Sequence, residues 1–123
     1  MKTKQEIMKI INGATGTEQY HRYSPFSNYP VITDGVKAVA EAAECYWLLD
    51  IIGSHQSNTR LDPNFQVWRL FVKNDMSAVV RAYNDTGEKQ VRIITQKIEW
   101  TDCPLDSLKL YLIGGVILLP SEY

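Results

Sequence analysis

Asp34-Gly35-Val36-Lys37-Ala38-Val39-Ala40-Glu41-Ala42-Ala43-Glu44-Cys45-Tyr46-Trp47-Leu48-Leu49-Asp50-Ile51-Ile52-Gly53-Ser54-His55-Gln56 is the stretch on which the fold turns. Val36, Val39, Ala40, Ala43, Trp47 and Ile51 recur at the spacing of one helix face. Thr33 or Asp34 supplies an N-cap oxygen for the first free N–H groups. Ala38, Ala40, Ala42 and Ala43 are small enough to bring a backbone close to a sheet. From Cys45 to Ile52 the only charge is Asp50, so the second half is apolar nearly all round. Gly53 weakens the pattern only near its end. The stretch predicts one long helix finishing by about Gln56.

Upstream, Thr3 and Glu6 have the spacing of a capping box, and Ile7, Met8, Ile10 and Ile11 form the apolar face of a short helix stopped at Asn12-Gly13. Residues 14–32 are irregular and aromatic, broken by Pro25 and Pro30, with a short edge strand expected between Thr17 and Tyr23. Downstream, strands are expected at Phe65–Lys73, Ala78–Tyr83 and Lys89–Trp100, the last long enough for a bulge or bend. In the first, Gln66, Trp68, Leu70 and Val72 share one face and Phe65, Val67, Arg69 and Phe71 the other. Asn84-Asp85-Thr86-Gly87-Glu88 reads as a hairpin loop with Gly87 left-handed. Two apolar runs around Gly114-Gly115 read as a tight hairpin, with a short helix over Leu105–Leu110 as the competing assignment. Helices first and strands after predict an α+β fold. It comprises a short N-terminal helix and one long helix packed on an antiparallel meander of about five strands, in a single domain over residues 1–123.

Composition narrows the function classes. The net charge of −1 disfavours nucleic acid, whose binders draw most of their affinity from neutralising phosphate. No apolar run approaches the ~20 residues that span a bilayer, so no membrane role is expected. No secretory signal is visible, and two cysteines, Cys45 and Cys103, suggest no disulfide framework. These features place the protein in the cytoplasm.

Chemistry-bearing residues are few. His21 and His55 flank the helical stretch and meet only if the aromatic loop folds back. Metal-ligand spacings such as HExxH or CxxC are missing, so no metal and no cofactor are expected. Asp50 shares a helical stripe with Tyr46, Trp47 and Ser54. If that stripe is buried, the carboxylate is a candidate general base, the better-supported reading being that it hydrogen-bonds the aromatic loop or pairs with an arginine such as Arg22 or Arg69. Cys45 on an apolar helix is expected to be inert. The candidate pocket is therefore Tyr20, His21, Tyr46, Trp47, Asp50, Ser54 and His55, between the aromatic loop 15–30 and the end of the long helix.

Several motifs act as a set: Thr15-Gly16-Thr17-Glu18-Gln19-Tyr20-His21-Arg22, Thr33-Asp34-Gly35-Val36, Tyr46 through Gln56, Phe65-Gln66-Val67-Trp68, and Leu118-Leu119-Pro120-Ser121-Glu122-Tyr123. Through them the chain resembles an uncharacterised family of small bacterial and mobile-element proteins, a domain of unknown function. The resemblance implies one domain and an accessory or host-interaction role, and carries over no catalytic residue. The expected function is protein interaction or self-association without catalysis. The alternative is a small-molecule-binding or hydrolase-like protein using the candidate pocket.

Overall fold

Residues 1–85 and 87–123 are described in a computed structural model. The stretch 34–56 is two helices, α2 (Asp34–Ala42) and α3 (Tyr46–Ser54), and not the single long helix expected. The break has a local cause. Glu44 takes φ +52°, Cys45 N–H donates to Ala40 O at 3.0 Å, and Glu44 N–H reaches Glu41 O at 3.4 Å. These two bonds are the helix-terminating Schellman pair, with Glu44 at the left-handed position that glycine usually holds. The Lys2 N–H, at 2.9 Å, satisfies the Ala42 carbonyl left free at the same helix end. Helix α1 (Lys4–Gly13) begins at the Thr3–Glu6 capping box and buries Ile7.

The sheet also differs from expectation. It has seven strands in the order β1-β2-β7-β6-β3-β4-β5 and is mixed, so the five-strand antiparallel meander is corrected. Strands β3 (Gln66–Val72), β4 (Ala78–Asp85), β5 (Gln90–Ile98), β6 (Ser107–Ile113) and β7 (Val116–Leu118) are the downstream set. β1 (Tyr20–His21) is the short edge strand expected between Thr17 and Tyr23, and β2 (Val31–Thr33) is the addition. β2 pairs with β7 in parallel, Val31 opposite Val116 and Ile32 opposite Ile117. Gly114 and Gly115, at φ +57° and +82°, turn the β6–β7 hairpin as their positions require. Thr86, in the β4–β5 loop, lies outside the described residues. The bulge expected in β5 is a register shift opposite Ala82 and Tyr83.

The helices cover one face of the sheet. Trp68, Leu70, Val80, Ala82, Ile94, Leu108, Leu110, Leu112 and Ile117 point to that face and join Ile7, Val36, Val39, Leu48, Leu49 and Ile52 in one core. Buried Gln66 is satisfied there: its carbonyl oxygen accepts from Trp68 Nε1 at 2.9 Å and from Gln56 Nε2 at 3.0 Å. Among the described residues all three α-helices send their buried residues to this core, and the opposite face carries no α-helix, though Tyr123, after a 3₁₀ turn at Pro120–Glu122, packs on its Phe65 and Tyr111. Among the described residues, no helix is long and apolar enough to cross a membrane.

Candidate functional site

The two histidines are held at opposite edges of the sheet. His21, on edge strand β1, donates Nε2–H to Asp34 Oδ1 at 2.6 Å. His55, the residue capping α3, bonds Gln96 of the other edge strand, β5, at 2.8 Å and packs on Trp68. Six strand spacings of about 4.8 Å separate the edges, roughly 29 Å across the sheet. Asp50 is solvent-exposed and, among the described residues, pairs with neither Arg22 nor Arg69. The expectation of a buried, paired acid is corrected: Asp50 lies on the outer side of α3, whose buried residues are Leu48, Leu49, Ile52 and Gly53. Tyr46 and Trp47 are half-buried against the core, and burial first, then Glu41, raises the Tyr46 phenol. Ser54 Oγ is turned back onto Ile51 O at 2.8 Å. Tyr20 is 63% exposed.

The aromatic loop does reach α3, through other residues. Tyr23 donates its hydroxyl to Leu49 O at 2.7 Å, and burial raises its ionisation well above the ordinary value. The Tyr29 ring lies on the bare backbone of Gly53, where a Cβ would fall 2.5 Å from Tyr29 Cε2. Cys45 is free and buried, its thiol pushed up to about 12 by burial and then by neighbouring Cys103.

Three of the sequence motifs meet at the start of α2. Thr33 Oγ1 accepts from Val36 N–H at 3.2 Å and donates to Glu122 Oε1 at 2.7 Å. The same carboxylate accepts from Gly35 N–H at 3.3 Å and Leu119 N–H at 2.9 Å. A Cβ at Gly35 would lie 2.8 Å from that carboxylate, which explains the glycine. Asp34 accepts from His21, from Glu18 N–H at 2.9 Å and from Gln19 N–H at 3.4 Å. The His21 bond first, then the backbone donors, hold its carboxyl down at about 2. A helix N-terminus favours both acids. This corner is a structural clasp with every named group satisfied.

The uncovered sheet face holds the less ordinary chemistry. Register places Tyr83, Val67, Tyr111 and Leu118 in one row across β4, β3, β6 and β7. The next row is Thr95, Arg81, Arg69 and Lys109, across β5, β4, β3 and β6. Lys97, Val79, Phe71 and Ser107 form the third. Arg92, opposite Tyr83, adds a fifth cation to Arg69, Arg81, Lys97 and Lys109. Among the described residues none of the five has a carboxylate within 4.0 Å. The chain has thirteen basic and fourteen acidic residues, so five of its thirteen cations are gathered on this one face, with Asp85 and Glu99 the acids near its β4–β5 end.

Aromatic rings on this face are already engaged. Arg81 lies over Phe71 at 5.8 Å and Lys109 over Tyr111 at 5.4 Å. Phe65, Tyr111 and Tyr123 pack edge to face, with centroids 5.1–5.8 Å apart. Beside them a recess of about 250 Å³ is floored by Ile113, Val116 and Leu118 between Tyr20 and Tyr123. A second recess, about 310 Å³, lies at the β4–β5 end near Arg81 and Lys97. Among the described residues, no three His, Cys, Asp or Glu side chains are grouped to hold a metal ion.

Sequence reasoning put Arg69 on the face of Val67 and Phe71 but missed Arg81 and Lys109 as its neighbours. The alternating positions were visible; the register that aligns them across three strands was not. The model of a family of unknown function (DUF6876) matches residues 5–123. No curated protein and no solved structure matches the chain.

Proposed function

The chain belongs to this family of unknown function, which brings no activity with it, and we propose that it is a non-catalytic binding domain whose uncovered sheet face docks an acidic segment of a partner protein. The observation that carries the reading is the Arg81–Arg69–Lys109 row. Like charges directly opposite one another destabilise a sheet, and among the described residues no carboxylate pairs with these, the contacts of Arg81 with Phe71 and of Lys109 with Tyr111 being a partial offset. A fold that tolerates such a cost is serving a site. Complementary charge on a partner removes the cost on binding and steers the encounter. The recess between Tyr20 and Tyr123 continues the same surface; Thr17, Thr33 and Glu122 also line it, the Glu122 carboxylate being bonded within the clasp, and its floor of Ile113, Val116 and Leu118 suits an apolar side chain flanking the acids.

A nucleic-acid partner fits less well. Single-strand binders stack bases on free aromatic faces, whereas Phe71 and Tyr111 are already capped by Arg81 and Lys109. The hydrolase-like alternative draws less support, because His21 and His55 are bonded to different partners, Asp34 and Gln96, and Asp50 is exposed. We take the cytoplasm as the working compartment, where the thiols of Cys45 and Cys103 stay reduced, and an accessory role in a mobile element is compatible with a binding domain.

The test is fluorescence anisotropy with a labelled nonaglutamate peptide and a single-stranded oligonucleotide of equal charge. The peptide should bind, weaken as salt rises, and be lost with Arg69→Glu plus Lys109→Glu while the protein stays folded. Undetectable peptide binding, unaltered binding by the double variant, or tighter binding of the oligonucleotide would each overturn the reading.

A further inference from the structure

We infer that the recess at the β4–β5 end is a subsite for a phosphorylated side chain of the partner segment; this rests on the docking reading above. The recess, about 310 Å³, opens beside the β3–β4 turn and is lined by Lys73, Arg81 and Lys97 together with Thr95 and with Ser77, whose hydroxyl donates to Asp75 Oδ1 at 2.6 Å. Glu99 also lines it. Of the lining residues three are cations and one is an acid, and Asp75, bonded by Ser77 and close to Lys73, adds a second carboxylate at the rim. A phosphate monoester carries about −1.5 to −2 at neutral pH and three acceptor oxygens, so it meets the three cations with more charge and more acceptors than a glutamate does. Arginine with hydroxyl and lysine donors around a concave site is the chemistry that recognises phosphoryl oxygens.

Arg81 provides a second, independent observation. Its Nε is buried with no hydrogen-bond partner, the one such side-chain atom among the described residues. An orphaned buried donor is costly. The guanidinium lies over Phe71, at 5.8 Å. Among the described residues no hydrogen bond holds it, so a small rotation that keeps it over the ring can present the donor to an oxyanion in the recess. The recess adjoins the Thr95–Arg81–Arg69–Lys109 row through Arg81 and Thr95. One extended acidic segment can therefore lie along the row and place a phosphorylated residue at its end.

The experiment is a ¹⁵N-resolved NMR titration of the full chain with a peptide of four glutamates, phosphoserine and four glutamates, its serine counterpart, inorganic phosphate and a single-stranded oligonucleotide. The phosphopeptide should bind at least tenfold tighter than the serine peptide and shift the amides of Ser77, Arg81, Thr95 and Lys97. Lys73→Gln combined with Lys97→Gln should erase that tenfold difference, with a dispersed spectrum reporting an intact fold. Equal affinity of the two peptides overturns the phosphate subsite while leaving the docking face standing. Failure of both peptides to bind overturns both readings. Inorganic phosphate binding as tightly as the phosphopeptide, or the oligonucleotide binding tighter than it, also overturns the assignment, in favour of a free anion or of nucleic acid.

Discussion

Arg69 faces Arg81 on one side and Lys109 on the other, so its replacement should make the protein more stable as it makes the face less able to bind. Each cross-strand charge pair is worth roughly 0.2–1 kcal/mol, and these half-exposed groups belong at the lower end because solvent screens them. Arg69→Gln removes two repulsions, a gain of about 0.5 kcal/mol. Arg69→Glu turns both into attractions, about 1 kcal/mol over the parent, or roughly 4 °C in Tm for a chain of this size. Glutamine and glutamate are nearly isosteric, so loss of the arginine stem's packing is common to both and cancels between them. Urea unfolding of the three proteins at low ionic strength measures the series. In 1 M salt the Debye length shrinks to about 3 Å, and the step from Gln to Glu should fall by more than half. A glutamate variant less stable than the glutamine one, or a gain indifferent to salt, refutes the claim that this row is internally repulsive.

Three further outcomes are expected. Glu44→Gly, at φ +52°, should stabilise the protein by about 1 kcal/mol, since an L-residue in that conformation costs about 1–2 kcal/mol that glycine avoids; a loss in chemical denaturation would show that the Glu44 contact with the Met1 amino group matters more. Gly53→Ala should destabilise the parent by displacing the Tyr29 ring and yet stabilise a Tyr29→Ala background by about 1 kcal/mol, the ordinary helix gain. The same sign in both backgrounds, read by thermal unfolding, would contradict the packing described. Asp34 is held at about 2 when folded, below its unfolded value, so its contribution is complete above about pH 4 and is lost as pH falls toward 2. The slope of stability against pH in that window should flatten in Asp34→Asn, and an unchanged slope would count against the His21 and backbone bonds as its cause.

Features set by near neighbours were legible in the sequence: the Thr3–Glu6 box, the Thr33 cap, the alternation of β3 and the Gly114-Gly115 turn. The break after Ala43 was not, because Ala42, Ala43 and Glu44 all favour helix and the stop uses Glu44 where glycine would announce itself. Strand β2 was hidden by its length of three residues and by a parallel partner near the far end of the chain. Of the candidate pocket, His21 and His55 are held by Asp34 and Gln96, and nothing local tells which distant residue a histidine will bond. The Asp50 stripe misled because α3 buries Leu48, Leu49 and Ile52 and leaves the acid outside. Summed charge concealed the basic face, since a total near zero is silent about how charges divide between two sides of a sheet.

The pairing of β2 with β7 also sets a timetable. As the chain leaves the ribosome, β1 and β2 emerge well before β7, the strand that among the described residues joins them to the rest of the sheet. Until residues 116–122 appear, Ile32 has no Ile117 beside it and the carboxylate that ties down the start of α2 does not exist. Assembly of this side of the molecule must therefore wait until translation has passed Glu122. A protease or premature stop that removes those few residues would leave two early strands and a helix start without their anchor, while leaving β3, β4, β5 and β6 intact in sequence.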